Sequence, residues 1–198
     1  ISGSDEYDAQ FGELVAGGTS IDAAYWALVT SDIEHSLRIL RPVHDESDGV
    51  DGYVSLEVAP DLARDTDGTV ASARALHALI DEPNLFVKVP ATAEGVEAIR
   101  TLIGEKHSIN VTLIFGLDRY AEVIEAYVSG LEAAQGDLSG IASVASFFVS
   151  RVDTEIDQRL EAIGSPEALA LRGKAAVANA QVAYARFLDT FSGPRWEA

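Results

Sequence analysis

The sequence predicts an α/β protein built on a parallel sheet. From residue 53 onward, short apolar runs alternate with segments of helical length, the pattern of consecutive βα units. The helical segments are mostly Ala, Leu, Glu and Arg, residues suited to an outer helical layer. No repeat, low-complexity tract or Pro/Ser-rich linker interrupts the 198 residues, so one domain is expected over 1–198, long enough to bury a sizeable core.

The first third reads as helical, at residues 5–16, 20–29 and 32–40, with Thr30 or Ser31 available to cap the third helix. Trp26 sits among helical apolar residues and is expected in the core. The polar stretch from Asp45 to Gly52 follows as a loop. Its acids resemble a calcium loop, but Gly and Glu fall at the wrong offsets for an EF-hand, so it reads as a solvated turn. Strands are predicted at 53–58, 85–89, 109–114 and 141–149. Helices are predicted at 69–80, 93–103 and 118–134, then at 153–163 and over a longer stretch from 166 to 190. Asp65-Thr66-Asp67-Gly68 reads as the turn leading into its helix.

Lys and Arg total 14 against 32 Asp and Glu, a formal net charge of -18. Such a field repels phosphate backbones and anionic lipid, so neither nucleic acid nor a membrane surface is expected as a partner. A small anionic substrate needs only a few local cations. The absence of Cys removes disulfides, thiolate nucleophiles and Cys-based metal sites together. No apolar run approaches the roughly 20 residues that span a bilayer, and no signal segment opens the chain; a soluble cytoplasmic protein is expected. His35, His44, His77 and His107 lack metal-ligand spacing, so no metal is expected. The oligomeric state is left open. There is also no Met, and the chain begins at Ile1, which suggests an interior piece of a longer protein.

Parallel strands covered by helices should be nearly continuous apolar runs. All four predicted strands depart from that rule towards their C-terminal ends. Val54, Leu56 and Val58 alternate with Ser55 and Glu57; Leu85, Val87 and Val89 with Phe86 and Lys88. Ile109, Val111 and Leu113 alternate with Asn110 and Thr112, and Ser146 shares a parity with Phe148, with Arg151 just beyond. Period 2 puts each polar set on one face of its strand.

Taken singly, each of these residues has a plainer reading. Lys88 could reach water along its stem, Glu57 could simply pair with it, and Asn110, Thr112 and Ser146 could satisfy loop backbone. Four consecutive strands with polar residues at comparable heights carry more weight, because active sites of parallel α/β folds lie at the carboxyl ends of strands. The set holds an amine, a carboxylate, an amide, two hydroxyls and a guanidinium. An amine in a largely apolar cavity loses its proton more readily and attacks carbonyls, which is Schiff-base catalysis. A nearby carboxylate can shuttle the protons of the carbinolamine, and Ser146 with Arg151 could hold a phosphate.

These residues also match a family. Leu85-Phe86-Val87-Lys88-Val89-Pro90-Ala91-Thr92 resembles the Schiff-base strand of transaldolases. Val54-Ser55-Leu56-Glu57-Val58, Asn110-Val111-Thr112-Leu113-Ile114-Phe115 and the run from Ser143 to Asp153 agree with it in order. The resemblance runs from about Ser4 to Trp196 and is nearest the long bacterial transaldolases of actinobacterial type. It implies that Lys88 forms the imine, that Glu57 is the acid working through a bound water, and that Thr112 holds that water. Asn110 would contact substrate hydroxyls, and Ser146 and Arg151 would form the phosphate site, lined by Phe148. The implied reaction moves a dihydroxyacetone unit from sedoheptulose 7-phosphate to glyceraldehyde 3-phosphate, in the non-oxidative pentose phosphate pathway, without metal or cofactor.

The implied fold is a (β/α)8 TIM barrel, which typically needs about 250 residues. The four strands here correspond to barrel strands three to six. The first strand, with its proton-transferring Asp, the second, with a substrate-contacting Asn, and the seventh are missing, so a partial barrel truncated at both ends is expected. On this reading the isolated chain is inactive and poorly monomeric, because long apolar edge strands are left open. Two alternatives accompany the transferase: a class I aldolase acting on fructose 6-phosphate, and a non-catalytic half-barrel that pairs its edges with another chain.

Overall fold

The computed structural model describes residues 5–197. Four strands lie in the order β1-β2-β3-β4: Val54–Glu57, Leu85–Pro90, Ile109–Ile114 and Ser143–Phe147. β2 pairs with β3 and β3 with β4 in parallel, and a helix follows each strand, so the α/β architecture with a parallel sheet holds. Two compact units are distinguished: the described residues up to Leu56 with Leu76–Phe86, and Glu57–Ala75 with the residues from Val87 onward.

In the first unit, α1 (Asp8–Ala16) is followed by α2, which runs unbroken from Ile21 to Glu46. This replaces the two helices expected at 20–29 and 32–40. Thr30 does not cap a new helix; its hydroxyl donates back to the Trp26 carbonyl at 2.7 Å, and Ser36 does the same to Asp32 at 2.9 Å. A hydroxyl satisfied within its own helix no longer competes to end it. The helix also continues past Pro42, so the expected loop opens only at Ser47. Trp26 is half-buried rather than core, edge-on to Tyr25.

The turn after α2 is locked by Gly52 and Asn84. The buried Asn84 amide donates to the Gly52 carbonyl at 2.9 Å and to the Leu37 carbonyl at 3.1 Å. Gly52 has φ +80, and a Cβ there would lie 2.4 Å from the His44 amide nitrogen. Left-handed backbone and overpacking therefore act together, and Gly52→Ala is expected to cost about 3 kcal/mol. Urea unfolding should show this as a lowered midpoint; an unchanged midpoint would contradict the packing described.

The second unit holds the larger core. α4 (Ala93–Gly104) and α5 (Leu117–Ala133) bury Val96, Ile99, Leu102, Ile103, Val123 and Ala126, while Val87, Val89, Ile109 and Val111 come from the strands. The two helices approach closely at Gly130, where a Cβ would meet the Arg100 carbonyl at 2.8 Å. α3 (Thr66–Ile80) starts earlier than expected, because the Asp65 carboxylate accepts from the Gly68 amide at 2.9 Å and caps it. Thr92 caps α4, accepting from Gly95 at 2.9 Å and donating to the Ala63 carbonyl at 2.6 Å.

The long helix expected over 166–190 is two: α7 (Pro166–Leu169) and α8 (Ala175–Phe191), with α9 (Pro194–Glu197) beyond. Gly173 turns left-handed between them at φ +68. Carboxylates of α6 (Ser150–Ile163) hold that turn, Asp157 accepting from the Gly173 amide at 3.0 Å and Asp153 from the Ala176 amide at 2.9 Å.

The alternation in β3 also breaks. Leu113, expected to face the core with Ile109 and Val111, has φ +60 and is 38% exposed, while Ile114 is fully buried. The pairing register with β4 shifts across Val111 and Ile114. One left-handed residue reverses the parity of everything after it. The edge strands β1 and β4 have four and five residues, shorter than expected, and β1 ends on a charged residue, Glu57.

Candidate active site at the carboxyl ends of the strands

The polar residues of the strands form a row across the sheet. Glu57 is the last residue of β1. Its Oε2 lies 3.3 Å from Lys88 Nζ, with the two side chains 42% and 30% exposed. The Val58 amide donates to the Lys88 carbonyl at 3.1 Å, which holds the two chain segments side by side. Lys88 stands opposite Asn110 in the β2–β3 register, so both side chains leave the same face of the sheet. Ser146 Oγ then donates to Asn110 Oδ1 at 2.7 Å.

Thr112 is opposite Pro90 and almost fully buried, 1% exposed. It lies beside the row, not at its surface. Lys88 is flanked by two fully buried valines yet is itself only half-buried, beside a carboxylate and open to water among the described residues.

A second cluster sits where β4 ends. The Phe148 amide donates to the Ile114 carbonyl at 2.9 Å, placing its ring in a stack on Phe115 with centroids 5.0 Å apart and planes at 17°. The Arg151 guanidinium, from the first turn of α6, lies 4.5 Å from the Phe148 ring centroid. Asp153, one carboxylate that could have neutralised Arg151, accepts from Ala176, and Glu155 pairs with Arg159. Among the described residues Arg151 has no ion pair, so its charge is available to an anion.

Chemically, an amine with a carboxylate at 3.3 Å can exchange protons with it or with a shared water. The amide and hydroxyl offer hydrogen bonds to polyols, and the guanidinium suits a phosphate. No group of three or more His, Asp or Glu among the described residues could hold a metal ion. No helix among them is long and apolar enough to cross a membrane. Phe115 is the residue to which the sequence pattern gave no role; a regular strand would have put it on the buried face.

A parallel α/β sheet with a lysine–carboxylate pair at its strand ends is chemically suited to carbonyl substrates, and comparison with known families places the chain. The family model described as Transaldolase/Fructose-6-phosphate aldolase matches residues 1–193, and the chain belongs to that family. Its relatives include the Transaldolase of Thermobifida fusca, 54% identical over 100% of this chain and 55% of the relative, and that of Frankia alni, 52% identical over 100% and 54%. Transaldolase 1 of Streptomyces avermitilis is 50% identical over 100% of this chain and 53% of its own. The chain thus spans about half the length of the curated relatives it matches.

Proposed function

We propose that the whole protein is a cytoplasmic transaldolase that transfers a dihydroxyacetone unit from sedoheptulose 7-phosphate to glyceraldehyde 3-phosphate in the pentose phosphate pathway. The observation that carries this reading is the ordered row of Glu57, Lys88, Asn110 and Ser146 across four adjacent strands. The name shared by relatives at 50–54% identity supports it.

In this reading the neutral Lys88 amine adds to the ketose carbonyl, and loss of water from the carbinolamine gives the imine. Cleavage of the C3–C4 bond sends its electron pair into the imine, leaving an enamine on Lys88 and releasing erythrose 4-phosphate. The enamine carbon then attacks the aldehyde of glyceraldehyde 3-phosphate. Water hydrolyses the new imine to fructose 6-phosphate and the free amine. Glu57 supplies and removes protons through a water that Thr112 helps to hold, and Asn110 binds substrate hydroxyls. Ser146 and Arg151 hold the phosphate, with Phe148 as the wall. The whole protein, given sedoheptulose 7-phosphate and glyceraldehyde 3-phosphate, should form fructose 6-phosphate and erythrose 4-phosphate; absence of that exchange would overturn the assignment.

Arg151→Ala should weaken phosphorylated donors far more than unphosphorylated dihydroxyacetone. A charge-assisted contact is worth about 1.5–3 kcal/mol, so kcat/KM for the phosphorylated donor should fall about ten- to 150-fold. An equal loss on both would make Arg151 structural.

A further inference from the structure

Phe115 is 39% exposed, large and aromatic, on a chain segment that is firmly tied down. The Asn179 side-chain amide donates to its carbonyl at 2.8 Å, and Arg186 donates to the Leu117 carbonyl at 2.6 Å, so α8 grips the β3–α5 connection from two points. The left-handed Leu113 reverses the strand parity, which turns Phe115 away from the buried face that Ile109 and Val111 occupy. Its ring meets the Phe148 ring, and Phe148 is in turn the ring against which the Arg151 guanidinium lies. The three groups form a ladder with a backbone-anchored base and, at its free end, a cation that has no ion pair among the described residues. A long arginine side chain loses considerable freedom when it is held in place, and an aromatic surface that fixes it beforehand removes that cost from binding.

We infer that Phe115 is a positioning residue: it fixes the Phe148 ring, and through it the Arg151 guanidinium, and so sets the preference for phosphorylated over unphosphorylated substrate. This deepens the phosphate-site assignment above and rests on it. Because Phe115 acts through Phe148 and Arg151, its effect falls on binding of the phosphate and not on the chemical step.

The test uses the whole protein with Phe115→Ala, Phe115→Tyr, Arg151→Ala and the Phe115→Ala/Arg151→Ala double variant, assayed with fructose 6-phosphate and with dihydroxyacetone as donors. Phe115→Ala should raise KM for fructose 6-phosphate about three- to tenfold, the size of a cation–π and stacking contribution, with kcat within about twofold. Dihydroxyacetone kinetics should stay within about twofold, and Phe115→Tyr, which keeps the ring, should match the parent on both donors. In the Arg151→Ala background, Phe115→Ala should add nothing, because the two act through one contact chain. Unchanged KM in Phe115→Ala, equal losses on both donors, a fall in kcat alone, or full additivity in the double variant would each overturn the inference while leaving the function intact. Failure of Arg151→Ala itself to separate the two donors overturns the phosphate assignment and the inference with it.

Discussion

Lys88→Arg is expected to abolish imine formation and turnover while leaving unfolding stability within about 1 kcal/mol of the parent. The reasoning separates charge from nucleophilicity. Arginine keeps a cation beside Glu57, so the ion pair seen at 3.3 Å has a substitute. A guanidinium stays protonated and cannot form the carbinolamine. Loss of turnover together with loss of stability would instead make Lys88 a structural cation; retained turnover would remove it from the chemistry altogether.

Glu57→Gln has the second-largest expected effect. The amide preserves the shape of the side chain at the end of β1 but can neither take nor return a proton. General acid–base groups contribute about 10²–10⁴-fold, and kcat should fall by that order. Imine trapping should be slowed, not lost, because the amine remains. Glu57 is more than a third exposed among the described residues and the amide keeps its shape, so the substitution should leave the fold intact. A fall of less than about threefold would leave Glu57 as a simple partner for Lys88, outside the proton-transfer range.

The arrangement of the candidate site was largely legible because the signal that marks it is periodic. β3 begins and ends where the alternation of Ile109, Asn110, Val111 and Thr112 places it, and the pairing of Lys88 with Asn110 follows from polar residues at equal heights on neighbouring strands. What escaped the pattern was set by single backbone or hydrogen-bonding events. Leu113 carries no sign of a left-handed conformation, since leucine rarely adopts it, and so the exposure of Phe115 was hidden. Thr30 has capping chemistry in sequence but spends its hydroxyl inside α2. Gly173, in an Ala-rich run, reads as a tolerated helix glycine until the Asp157 carboxylate captures its amide.

The central claim is that Lys88 is the residue that carries the substrate as an imine. Borohydride reduction of the whole protein with fructose 6-phosphate, followed by peptide mapping, tests it directly. The account predicts a single stable adduct on the peptide containing Lys88, absent in Lys88→Arg. An adduct on Lys106, Lys174 or any other lysine, or its persistence in Lys88→Arg, would contradict it.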